Sequence, residues 1–63
     1  MEERINELMK QYYVSFDELA VRLGVSKQTL TRKLKRQTEW TYPEMMLLVQ
    51  IFNIQDPAEF FFS

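Results

Sequence analysis

Apolar residues recur along this chain at helical spacing, in five stretches divided by short polar breaks. In the first stretch Ile5, Leu8, Met9 and Tyr12 fall at i, i+3, i+4 and i+7. That is one buried stripe of a helix over about residues 2–11. Glu2 and Glu3 at its start and Lys10 near its end complement the helix dipole. A second helix is expected to open at Ser15. Ser15 and Glu18 have capping-box spacing, and Val14 and Leu19 that of a hydrophobic staple. Leu19, Ala20 and Leu23 are its inward positions, and Asp17 and Glu18 read as first-turn charges rather than a catalytic pair. The third helix, Lys27 to about Arg36, turns Leu30 and Leu34 inward. The fourth opens near Thr41 and Glu44, again at capping-box spacing, and buries Met45, Leu48, Val49 and Phe52. Pro43 is tolerated in a first turn but biases Tyr42 away from helical angles, which leaves the boundary open at Tyr42. Asp56, Pro57 and Glu59 then supply the N-cap, N1 and N3 of a last short helix ending in Phe60, Phe61, Phe62 and Ser63. Three consecutive phenylalanines cannot all face inward, so at least one is expected to be partly exposed. The pattern predicts an all-α fold over a single domain, residues 1–63.

The break between the second and third stretches is the most informative. Gly24 can close the second helix in the left-handed conformation without a Cβ clash. Ser26 is placed as an N-cap whose hydroxyl accepts from the backbone N–H of Gln28 or Thr29. Val25 plugs the angle between the two helices, and Ala20, four residues before Gly24, is small where they cross. A short glycine-containing turn between two helices is the signature of a helix-turn-helix. On the outer face of the following helix stand Gln28, Thr31, Arg32 and Lys35. A glutamine amide pairs bidentately with adenine, a guanidinium with guanine, and a threonine methyl touches the thymine methyl, so this face suits a major groove. The same face is also what a solvated surface helix presents.

Charge sharpens that reading. The net charge is only −1, but it is segregated. From Leu19 to Thr38 there are six basic residues and no acidic one; the other two basic and all nine acidic residues lie outside. A +6 segment in a −7 remainder puts the positive end of the molecule on the helix-turn-helix, as phosphate binding requires. Composition removes other classes. With no cysteine and no histidine, thiolate and imidazole metal sites and the usual nucleophile pairs are excluded. No acid–base constellation remains for an enzyme, and no cofactor or small-molecule substrate is expected. The charged start Met1, Glu2, Glu3, Arg4 is unlike a secretory leader. The most apolar run, Met45 to Ile54, is too short for a bilayer. A cytoplasmic protein without a membrane partner is expected. A core from 63 residues sustains a stability of about 3–5 kcal/mol. Trp40, which ends the linker after the third helix, is expected to pack over the core edge rather than stack on a base.

The residues Leu19, Ala20, Gly24, Val25, Ser26 and Leu30 carry a resemblance to the phage Cro and repressor type of helix-turn-helix domain, the XRE family. Their pattern is Ala-x-x-x-Gly-aliphatic-Ser with a following aliphatic residue. The later segment from Trp40 to the terminal phenylalanines is similar to short members of that family. The resemblance implies a compact five-helix, lambda-repressor-like domain with the reading pair as helices two and three. It carries the base-reading positions onto Lys27, Gln28 and Arg32 and an N-cap phosphate contact onto Ser26. Thr31 and Lys35 join them from the helix geometry, and Lys33 and Arg36 are expected as phosphate contacts or solvated charges. The chain departs from the family twice. Phe16 stands where many members carry a phosphate-binding glutamine, and Lys35, Arg36, Gln37 and Thr38 replace a common Glu-x-Gly exit from the third helix.

The expected partner is double-stranded DNA, contacted in its major groove and at its phosphates through Ser26, Lys27, Gln28, Thr31, Arg32, Lys35 and Arg36. The expected role is a small transcriptional regulator of phage or mobile-element type. A homodimer through Phe60–Phe62 would match two half-sites. Two alternatives stand beside it: a protein-interaction module on the same fold, as in an anti-repressor, and an excisionase-like architectural DNA binder.

Overall fold

In the computed structural model, the starts of the last four helices and the ends of the first four are closed by hydrogen bonds that their own sequence supplies. The structure describes residues 2–62; Met1 and Ser63, the ends of the expected domain, lie outside the described residues. Five helices follow in order: α1 Glu2–Tyr12, α2 Phe16–Leu23, α3 Lys27–Leu34, α4 Tyr42–Phe52 and α5 Pro57–Phe62. No strand occurs among the described residues, and no helix there is long and apolar enough to cross a membrane.

The starts follow the sequence closely. Ser15, Ser26 and Thr41 are N-caps whose hydroxyls accept from the backbone N–H three residues on. Asp56 does the same for the N–H of Glu59 at 3.2 Å. At Thr41 the capping box closes both ways, with Thr41 N–H donating to Glu44 Oε1 at 2.8 Å. That fixes the α4 boundary at Tyr42 and leaves Pro43 in the first turn. At Ser15 only half of the expected box forms, because the Glu18 carboxylate turns instead to Arg22, at 3.5 Å one turn along.

The ends are less obvious from sequence. Gly24 takes φ 72°. Its N–H donates to Val21 O and that of Val25 to Ala20 O, the Schellman arrangement that satisfies the last carbonyls. The same pair of bonds closes α1 around Tyr13 and α3 around Arg36, at φ 57° and 62°. Asn53, at φ 52°, ends α4. The third helix therefore stops at Leu34, short of the expected Arg36. Lys35 caps it, and Arg36 sits beyond it in a left-handed turn.

The core is drawn from all five helices and the α1–α2 junction. Ile5, Leu19, Leu30 and Leu48 are fully buried, Phe52 nearly so, and Val14, Ala20, Leu23, Leu34 and Phe60 close the cluster. Leu8, Met9, Phe16, Val25 and Trp40 pack against it, half-buried. Tyr12 reaches the edge of Phe52, ring to ring at 5.8 Å. Arg4 joins α5 to α1: it pairs with Glu59 at 2.9 Å and lies 4.5 Å over the Phe60 ring. α2 packs on both α3 and α4, so α3 is held by its inner leucines with its outer face open.

Candidate nucleic-acid interface

α3 is carried to the surface by the turn before it. Gly24 reverses the chain, Val25 half-buries against the core, and Ser26 restarts the helix. The Ser26 hydroxyl is used on both sides: it accepts from Thr29 N–H at 3.1 Å and donates to Thr29 Oγ1 at 2.9 Å. Any acceptor approaching this N-cap would have to compete with Thr29 for that hydrogen.

Along the outer face Lys27, Gln28, Arg32 and Lys35 are exposed, and Thr31 is half-buried. The Thr31 hydroxyl donates to Lys27 O at 3.0 Å, which commits its hydrogen and leaves the oxygen as an acceptor. Lys27 is held back toward α2 by Asp17, Nζ to Oδ1 3.5 Å. Arg22, on α2, has Glu18 as its partner. Arg32, Lys35 and Arg36 take part in no ion pair among the described residues. Of six basic residues in the segment, these three leave their charge uncompensated at the surface, all at or beyond the second half of α3. Arg36, although off the helix, is exposed beside Lys35.

Lys33 departs from expectation. It is neither a phosphate contact nor solvated: it is buried, at 7% exposure. Its ammonium pairs with Glu44 Oε1 at 2.8 Å and donates to Glu39 O at 2.9 Å. It also lies 5.9 Å from the centre of the Trp40 ring. The reason is register. Leu30, Lys33 and Leu34 stand at i, i+3 and i+4, so Lys33 shares the buried stripe of α3 and is directed at the start of α4. The Glu44 carboxyl responds. Burial pushes its pKa up, but hydrogen bonds from Lys33 and Thr41 and the Lys33 charge outweigh this and hold it below the ordinary value of 4.5.

Phe16 is half-buried against the core. The start of α2 thus carries no glutamine and shows Asp17 and Glu18 instead. Trp40 packs at the core edge as expected, with its indole Nε1 buried and without a hydrogen-bond partner. Of the three terminal phenylalanines, Phe60 is buried, Phe61 half-buried and Phe62 77% exposed.

A family model for the Cro/C1-type helix-turn-helix DNA-binding domain matches residues 4–61, nearly the whole chain. No curated protein and no solved structure matches the chain significantly.

Proposed function

The chain belongs to the Cro/C1-type helix-turn-helix DNA-binding domain family, and from that premise we propose that it is a sequence-specific transcriptional regulator, of phage or mobile-element type, that reads the major groove with α3. The observation that carries this is the outer face of α3: Gln28 and Arg32 exposed one turn apart, with uncompensated cations at Arg32, Lys35 and Arg36. Lys27, Gln28 and Arg32 face base edges, with Thr31 adding its methyl. Ser26, Lys35 and Arg36 position the backbone through phosphates. The whole chain acts as one cytoplasmic domain without cofactor or catalysis. It binds as a homodimer through the Phe60–Phe62 end, on half-sites about 34–36 Å or a multiple apart.

The test is a set of single substitutions on α3. Gln28→Ala and Arg32→Ala should each cost about 1–3 kcal/mol and relax discrimination at one base pair. Lys35→Ala should weaken all sequences alike and lower the salt slope by about one. Unchanged affinity and slope in all three would refute the groove assignment.

The structure also supports a second reading, a protein-interaction module. Phe16 packs inward where a phosphate anchor is usual, and Asp17 and Glu18 engage two of the basic side chains. Binding to non-specific duplex at low salt, reversed as salt rises, separates the two readings, because only a DNA binder shows it.

A further inference from the structure

One ion pair ties α3 to the helix before it. Lys27 opens α3, and its ammonium lies 3.5 Å from the Asp17 carboxylate in the first turn of α2. The first turn of α3 has no acidic residue of its own. The Lys27 cation therefore stands at the positive end of a helix dipole, and Asp17 offsets it from outside the helix. Both side chains are largely in solvent, at 64% and 73% exposure, so the pair adds little to stability. What it changes is the charge of the outer face. The cations free of ion pairs among the described residues, Arg32, Lys35 and Arg36, lie toward the far end of α3. The near end is left without a free one.

We propose that Asp17 is a specificity-determining residue, which withholds Lys27 from phosphates and holds its ammonium in place for a base edge. This deepens the reading of α3 as the groove-reading helix and rests on it. The two effects have opposite signs. Binding to an arbitrary duplex is mainly a sum over neutralised phosphates, each releasing counterions whatever the sequence. Lys27 adds little to that sum, because a phosphate approaching its ammonium also approaches the Asp17 carboxylate. Binding to the matching site has a further part. An ammonium has three donors. The Asp17 contact occupies one and leaves the others for acceptors such as guanine O6 and N7. A side chain already held at one end also loses less freedom on docking. Asp17 therefore lowers affinity for wrong sequences and spares it for the right one. Its neighbours act in the same direction. Phe16 packs against the core and Glu18 pairs with Arg22, so the start of α2 offers no free cation to a phosphate.

The test is Asp17→Asn in the full chain, with Glu7→Gln as the control. Asparagine keeps the shape of the side chain, and α2 is capped by Ser15, so the fold is retained. Glu7→Gln removes the same charge from an exposed position of α1 that forms no ion pair among the described residues. Each protein is titrated with salt on two duplexes: one of scrambled sequence, and one carrying the motif that the wild type selects from a random pool. At about 50 mM salt, Asp17→Asn should bind the scrambled duplex about tenfold more tightly, with a log–log slope steeper by about 0.9, the effect of one more phosphate. Affinity for the selected duplex should not rise with it, so discrimination falls. Glu7→Gln should match the wild type in slope and discrimination. In a Lys27→Gln background, Asp17→Asn should no longer steepen the slope. An unchanged slope, an equal gain on both duplexes, the same gain from Glu7→Gln, or an effect that persists without Lys27 would each overturn the role of Asp17 and leave α3 as the reading helix. A wild type that binds no duplex at low salt, or selects no motif, would overturn the reading of α3 and the proposal with it.

Discussion

Lys33 shows how far a single side chain can depart from the role its neighbours suggest. It sits in a basic run, Arg32, Lys33, Lys35 and Arg36, and it alone of the four is buried. Its ammonium joins the α3–α4 linker to the start of α4 through Glu39 O and Glu44. Removing it leaves the half-buried Glu44 carboxylate with Thr41 N–H as its remaining partner, so Lys33→Ala should cost about 1–3 kcal/mol, a large part of the stability of so small a domain. Urea unfolding would show this, with Lys35→Ala as the control expected to change little. The Glu44 carboxyl gives the same contact a pH signature. Its pKa is lowered by folding, so its stabilisation is complete above the ordinary value of 4.5 and lost as pH falls through the folded value. Glu44→Gln should be less stable than wild type at pH 7, and the difference should narrow toward pH 3, as followed by urea unfolding at both. Lys33 was legible in principle: it shares the i, i+3, i+4 stripe of Leu30 and Leu34. Charge alone assigned it outward, because a lysine is so seldom buried unless paired, and the pairing residue lies in another helix.

At the scale of elements, the starts were readable and, Gly24 apart, the ends were less so. Ser15, Ser26, Thr41 and Asp56 are all caps as the sequence implies, since a side-chain acceptor at a helix start is a local matter. The left-handed residues that close the helices are local too, but the residue type hides them. Gly24 announces itself, and Asn53 tolerates the conformation; Tyr13 and Arg36 do so at a cost. Their conformation is imposed by where the next helix must pack. Arg36→Gly should therefore stabilise the fold by about 0.5–1 kcal/mol while weakening DNA binding through the lost charge. Thermal unfolding and duplex titration of the same variant should thus move in opposite directions. Gly24→Ala should do the reverse to stability, by about 1 kcal/mol. An added Cβ there meets no atom within 4 Å, so the penalty is conformational rather than steric.

At the scale of the whole molecule, the segregation of charge survives folding but shrinks. The sequence gives a +6 segment. Folding buries Lys33 and sets Arg22 and Lys27 against carboxylates of α2. Five basic side chains of the segment reach the surface, and three of them are free of ion pairs. Binding of one copy to duplex should then show a log–log salt slope of about −3 to −4.5, at about 0.9 per phosphate neutralised. A slope near zero would mean that the basic face is not used. The helical class, the turn and the exposure of Gln28, Arg32 and Lys35 were legible because they rest on periodicity and spacing. The reduction of the charge was not, because it depends on which helices meet.

The most direct test of the central claim is to let the protein choose among random duplexes at increasing salt and to sequence the bound fraction. If α3 reads the major groove, a short motif should be enriched, its affinity should fall steeply with salt, and Arg32→Ala should lose selectivity at one position of that motif. Binding without an enriched motif, or no binding even at low salt, would contradict sequence reading by α3.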